Sequence, residues 1–151
     1  MDRRDRSVSE STNGDAVSHR GPGRVVIGLY AVFAIAATSR ALFQLATKFS
    51  DAPIAYSLSA VAAVIYIVIT VLLWRGTASA LKLARTFIMV ELAGVIIVGT
   101  LSFLDAAAFP RATVWSHFGE GYGFIPLILP IVGLFYLRRT INRPAAEKDT
   151  D

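Results

Sequence analysis

Apolar residues in this chain fall in four long blocks, at about 25–45, 56–74, 86–104 and 119–137, separated by short polar stretches. Each block is close to the ~20 residues that a helix needs to cross a ~30 Å hydrocarbon core. The polar stretches differ in charge. Twelve of the fifteen basic residues lie in the N-terminal segment (Arg3, Arg4, Arg6, Arg20, Arg24), after the second block (Arg75, Lys82, Arg85) or behind the fourth (Arg138, Arg139, Arg143, Lys148). Arg40, Lys48 and Arg111 are the remaining three, all toward the opposite side. Basic loops stay on the cytoplasmic side. The pattern therefore predicts an all-α bundle of four transmembrane helices, multi-pass in the cell (plasma) membrane, with the N-terminus and the C-terminus both cytoplasmic.

The blocks are not equally regular. Tyr56 to Trp74 runs without a charge, and Ser59 and Ala63 form a small-xxx-small pair that lets a neighbouring backbone approach. Gly28, Ala31, Ala34 and Ala41 give the first block further small surfaces. Strongly apolar character in the fourth covers only Phe124 to Leu137, about 21 Å of helix. Pro126 and Pro130 lie one turn apart there, with Gly119, Gly121 and Gly123 before them, which predicts a kinked helix with a loosely wound outer end. The preceding Ala112–Phe118 segment is expected to rest at the outer interface. Rings at the block ends fit the same registers as interfacial anchors: Trp74 and Tyr136 at the inner boundary, Tyr56, Trp115 and Tyr122 at the outer one.

Residues 1–24 lack apolar periodicity and are expected to form a disordered cytoplasmic tail, and residues 138–151 a basic, then polar one. Ala34-Ile35-Ala36 sits too far into the first block for a signal-peptide cleavage site, so that block is expected to be retained and to double as the insertion signal. A hydrophobic share of 54%, a mean hydropathy of +0.55 and 17% charged residues agree with a membrane protein. Twelve arginines against three lysines, with alanine-rich blocks, point to a GC-rich bacterial genome. The absence of cysteine excludes disulfides and thiolate chemistry. With only His19 and His117, a histidine-built metal site is not expected. The sequence pI of about 9.8 reflects topology signals at block ends rather than a basic face for nucleic acid.

Few side chains carry candidate chemistry. Glu91 lies below the predicted headgroup level, where a carboxylate is costly to keep charged without a partner. It reads either as a proton-accepting or cation-binding carboxyl or as packing glue, hydrogen-bonded to another helix or reaching Arg85 or a headgroup through water. Gly94, one turn on, permits a close approach in either case. Arg40, with Gln44 four residues on and Ser39 and Thr47 nearby, either receives an anionic group or snorkels to the outer phosphates. A direct Arg40–Glu91 pair is not predicted, because their depths differ by about 10–15 Å. His117 and Glu120 read as a solvated pair, and 119–123 as a turn lacking the lysine of a phosphate loop. Asp51 and Asp105 mark block ends. No catalytic residue, cofactor site or metal site is expected.

The stretches TVWSHFGEGYGFIPLILPIVGLFYLRRT at 113–140, ELAGVIIVGTLSFLD at 91–105 and ATSRALFQLATKF at 37–49 resemble segments of small, uncharacterised four-span integral membrane proteins of actinobacteria. The resemblance covers about residues 24–140. It implies the architecture and transfers no active-site residue. The functional expectation is a non-enzymatic accessory or scaffold protein packing against membrane lipids or a membrane-protein partner. The alternatives are an oligomeric carrier of protons or a small solute using Glu91 and, more weakly, an enzyme acting on lipid or quinone.

Overall fold

A computed structural model describes residues 21–105, 107 and 110–146, with the side chains of all of these but 22 and 142–146. The expected N-terminal tail up to residue 20, His19, and the C-terminal tail beyond residue 146 lie outside the described residues. The described chain is all-α: α1 (Pro22–Thr47), α2 (Pro53–Arg75), α3 (Ala78–Leu104) and α4 (Ile125–Ala146), with short 3₁₀ segments at Phe49–Asp51 and Ser116–Tyr122. Among the described residues no strand forms. Helix α1 packs on α2, α2 on α3, α3 on α4, and α4 returns to α1. The α1–α2 connection and the described residues between α3 and α4 share one end of the molecule, the loop end; the start of α1, the end of α4 and the α2–α3 turn share the other, the terminal end.

Helices α1, α2 and α3 are each long and apolar enough to cross a membrane. A fourth span exists if the Ser116–Tyr122 segment and α4, bent by 98° at their junction, count as one. This is the architecture of a multi-pass membrane protein. Val32, Val61, Val64, Ile97, Ile131 and Phe135 are exposed along the helices. Such surface suits lipid, because hydrocarbon chains solvate it as well as a protein core does.

Helix α1 starts at Pro22 and α4 runs to Ala146, both beyond the apolar blocks and into the expected tails, and two further differences from the hydropathy pattern bear on the site. Helix α3 begins at Ala78, so Lys82 and Arg85 stand on its first turns and the α2–α3 connection shrinks to Gly76 and Thr77. Gly76 adopts a left-handed conformation (φ 64°) that ends α2, and the Thr77 hydroxyl accepts from the Ala80 N–H to cap α3. These local cap signals outweigh the weak hydropathy of residues 78–85. Consequently Glu91 is the middle residue of the 27-residue α3, about 20 Å from either end rather than near its start.

The second difference is at residues 105–124. The expected kinked helix is instead a break: α4 starts at Ile125, and the segment before it lies across the helices. Pro126 falls in the first turn of α4, where its missing N–H has no helical partner to lose. The 112–118 segment, expected at the outer interface, turns into the core. Thr113, Val114, Trp115 and Ser116 are all buried. Irregular backbone survives in such a setting only if its polar groups find partners. Here the Ser116 hydroxyl accepts from the Thr113 N–H at 2.9 Å, and the Thr113 hydroxyl accepts from the N–H groups of Ser116 (2.9 Å) and Trp115 (3.1 Å). Helix α3 makes room with glycine. A Cβ on Gly94 would stand 2.8 Å from the Trp115 ring, and one on Gly99 would stand 2.5 Å from the Phe118 ring.

Small residues also close α1 on α2. Ala34, Ala37 and Ala41 of α1 and Ala55, Ser59, Ala62 and Ala63 of α2 are buried. Gly28, expected to join that surface, is exposed and has nothing near its Cα where a Cβ would stand. The interior is completed by Tyr30, Tyr66, Ile69, Ile88, Val95, Leu129 and Leu137.

Candidate functional site

Glu91 has no exposed surface, and tyrosines from α1 and α2 reach it, with α4 and the inserted loop packed around them. From α1, the Tyr30 hydroxyl donates to Glu91 Oε2 at 2.9 Å. From α2, Tyr66 sets its ring 6.2 Å from that of Tyr30. From α4, Gly133 leaves the space in which Tyr30 sits: a Cβ there would be 3.2 Å from the Tyr30 hydroxyl and 3.1 Å from Ile88. The inserted loop supplies Trp115, laid over Gly94 one turn beyond Glu91. Gly94 thus admits an indole ring rather than a neighbouring helix.

This centre is only partly hydrogen-bonded. Glu91 Oε1, the Tyr66 hydroxyl and the Trp115 indole N–H are buried and complete no hydrogen bond. Tyr66 nevertheless lies within electrostatic reach of both Glu91 and Trp115. No cation reaches Glu91 among the described residues. A carboxyl group enclosed with two tyrosines can tie helices together, exchange a proton or hold a small cation. Among the described residues there is no group of three His, Asp or Glu side chains placed to hold a metal ion.

Arg40 belongs to a different neighbourhood. Its Nη1 donates to the Tyr122 hydroxyl at 2.7 Å and its Nη2 to the Ala112 carbonyl at 3.3 Å, with the guanidinium carbon 5.5 Å from the Tyr122 ring centroid. Arg40 is therefore half-buried and fastened to the loop, not extended freely from α1. Gln44 lies beside it in a loop-end cleft. The Arg40 Nε–H and Gln44 Oε1 are buried without a partner. Arg40 and Glu91 make their hydrogen bonds to different partners. A ladder of rings runs between their two neighbourhoods, with Phe33 6.1 Å from Tyr122 and 5.9 Å from Tyr66.

No protein-family model matches this chain, and no curated protein or solved structure matches it either.

The five rings expected as interfacial anchors are placed unequally. Trp74, at the terminal end of α2, is 78% exposed. Tyr136 is half-buried, its hydroxyl occupying the place where a Cβ on Gly23 would be. Tyr56 is buried beside Ala52 and Ala55. Tyr122 is half-buried and holds Arg40, and Trp115 is 4% exposed inside the core. His117 meets Phe103 edge to face at 4.6 Å, while Glu120 is exposed. Tyr30 and Tyr66 were not legible as partners of Glu91, being uncharged residues within apolar blocks. The available signal was their position: a tyrosine far from a block end must find a partner for its hydroxyl inside the protein.

Proposed function

We propose that this chain is a non-enzymatic multi-pass protein of the bacterial plasma membrane, with four spans and both termini cytoplasmic, that acts as an accessory or scaffold by packing against lipid or a partner membrane protein. The observation that carries this reading is the enclosure of Glu91. The one acidic side chain in the middle of a described span is surrounded by α1, α2, α4 and the inserted loop, and it lines neither the cleft at Arg40 nor the one at Pro53. A group placed in this way holds elements in register; it does not face a substrate. The sidedness rests on the basic residues: Arg24, Arg75, Lys82, Arg85, Arg138 and Arg139 belong to the terminal end. The likeness of three segments to small actinobacterial four-span proteins supports the same architecture.

Affinity purification in a mild detergent, with mass spectrometry of everything retained, tests this proposal. A stoichiometric membrane-protein partner or a defined set of lipids is expected. A homo-oligomer that retains a polar small molecule and neither of these contradicts it.

A second reading, a carrier of protons or a small cation, draws on Glu91 Oε1 and the Tyr66 hydroxyl, which complete no hydrogen bond. It needs an oligomer or an opening motion to give the carboxyl access to both sides. In proteoliposomes under an imposed membrane potential, wild-type protein that dissipates a proton gradient and a Glu91→Gln variant that does not would establish the carrier. Equal, slow leakage from both would leave the accessory role.

A further inference from the structure

The loop end carries a cleft of about 430 Å³ whose wall includes Arg40, Gln44, Lys48, Arg111, Tyr56 and Phe43. It gathers all three basic residues that the topology pattern leaves at that end of the chain, and no carboxylate lines it. We propose that this cleft binds the phosphate headgroup of an anionic phospholipid. The inference needs only membrane insertion, so it holds whether the chain is an accessory protein or a carrier.

Three features support it. The Arg40 guanidinium is held in place by the Tyr122 hydroxyl and the Ala112 carbonyl, which use two of its five N–H donors. Of the remaining three, the Nε–H is buried, so the second N–H groups of Nη1 and Nη2 are the ones left for a ligand in the cleft that Arg40 lines. A fixed, planar donor set of this kind suits a phosphate better than a freely moving chain does. Lys48 and Arg111 are exposed on the same cleft and form no ion pair among the described residues. Three cations on a cleft wall that carries no carboxylate repel one another, and an anion between them relieves that repulsion. Finally, Phe43 is 59% exposed on the cleft wall, so the cation cluster adjoins apolar surface. That combination matches a headgroup with its acyl chain and is not what a free inorganic anion requires.

The test titrates the full-length chain, purified in a mild detergent, with phosphatidylglycerol or phosphatidylcholine and follows bound lipid by native mass spectrometry. Phosphatidylglycerol should bind roughly tenfold more tightly than phosphatidylcholine, whose own cation competes for the phosphate. The Lys48→Gln/Arg111→Gln double variant should weaken phosphatidylglycerol roughly ten- to thirty-fold and abolish the preference. Both residues are exposed, so an unchanged melting temperature is expected and separates lost binding from lost fold. Arg138→Gln/Arg139→Gln should keep the preference, because those arginines belong to the other end. Equal binding of the two lipids, a preference that survives the first double variant, or one lost in the second would overturn the proposal. So would inorganic phosphate displacing phosphatidylglycerol at an equal concentration, which would make the occupant a free anion.

Discussion

Glu91 and Arg40 are ionisable residues set within the apolar runs of α3 and α1, and their surroundings are opposites. Glu91 sits at the midpoint of α3, sealed by α1, α2, α4 and the inserted loop, and takes a hydrogen bond from Tyr30. Arg40 sits toward the loop end of α1, fixed on one side by Tyr122 and Ala112 and open on the other to a cationic cleft. An ionisable group in a membrane is expensive unless it meets a partner or a polar surface. The protein meets that cost in two ways: it brings hydroxyl groups to the carboxyl, and it leaves the guanidinium next to the boundary. The first arrangement depends on tight packing and the second on access, so substitutions should affect them differently.

The largest effect is expected at Trp115. Trp115→Ala removes the indole that covers the Glu91 centre and should lower stability in detergent by about 3–5 kcal/mol, read from the melting transition. Gly94→Leu attacks the same contact from α3. Its side chain competes with the Trp115 ring for one space and should cost about 1–3 kcal/mol. If Gly94→Leu melts like wild type, the loop is not seated on α3. Tyr30→Phe removes the single completed hydrogen bond to Glu91 and should cost about 0.6–1.7 kcal/mol, the range found for hydrogen bonds between membrane helices. Arg40→Gln releases Tyr122 and Ala112 at the open end, where other partners are available, and should cost at most about 1 kcal/mol. Trp74→Phe, at an exposed ring, should stay within about 0.5 kcal/mol of wild type. An Arg40→Gln loss as large as that of Trp115→Ala would remove the distinction between a sealed and an open site.

Much of this arrangement was legible in the sequence, though unevenly. The spans of α1, α2 and most of α3 follow from sustained hydropathy, since about 20 predominantly apolar residues are what a crossing helix needs. The true start of α3 was hidden because Ala78–Arg85 is too polar to stand out by hydropathy, and its helix is set by the Gly76 turn and the Thr77 cap. The inserted loop was hidden for a different reason. A stretch with Trp115, His117 and Phe118 between two spans has the composition of an interface segment. Its burial depends on Gly94 and Gly99, each about 20 residues before the ring it admits, and on Thr113 and Ser116 satisfying each other's backbone. Sequence reading singled out Glu91, Arg40 and Gln44, because charge and amide groups stand out in apolar blocks. It did not find Tyr30 and Tyr66, whose role appears only when the helices are brought together.

The most direct test is the environment of Trp115. With Trp74 replaced by Phe, Trp115 is the sole tryptophan, and its fluorescence can be followed in lipid nanodiscs against acrylamide from water and brominated acyl chains from lipid. The structure predicts blue-shifted emission that resists both quenchers, and a shift to longer wavelength in the Gly94→Leu background. Strong quenching by acrylamide or by brominated lipid in the otherwise wild-type chain would place the ring at the membrane surface and contradict the sealed centre around Glu91.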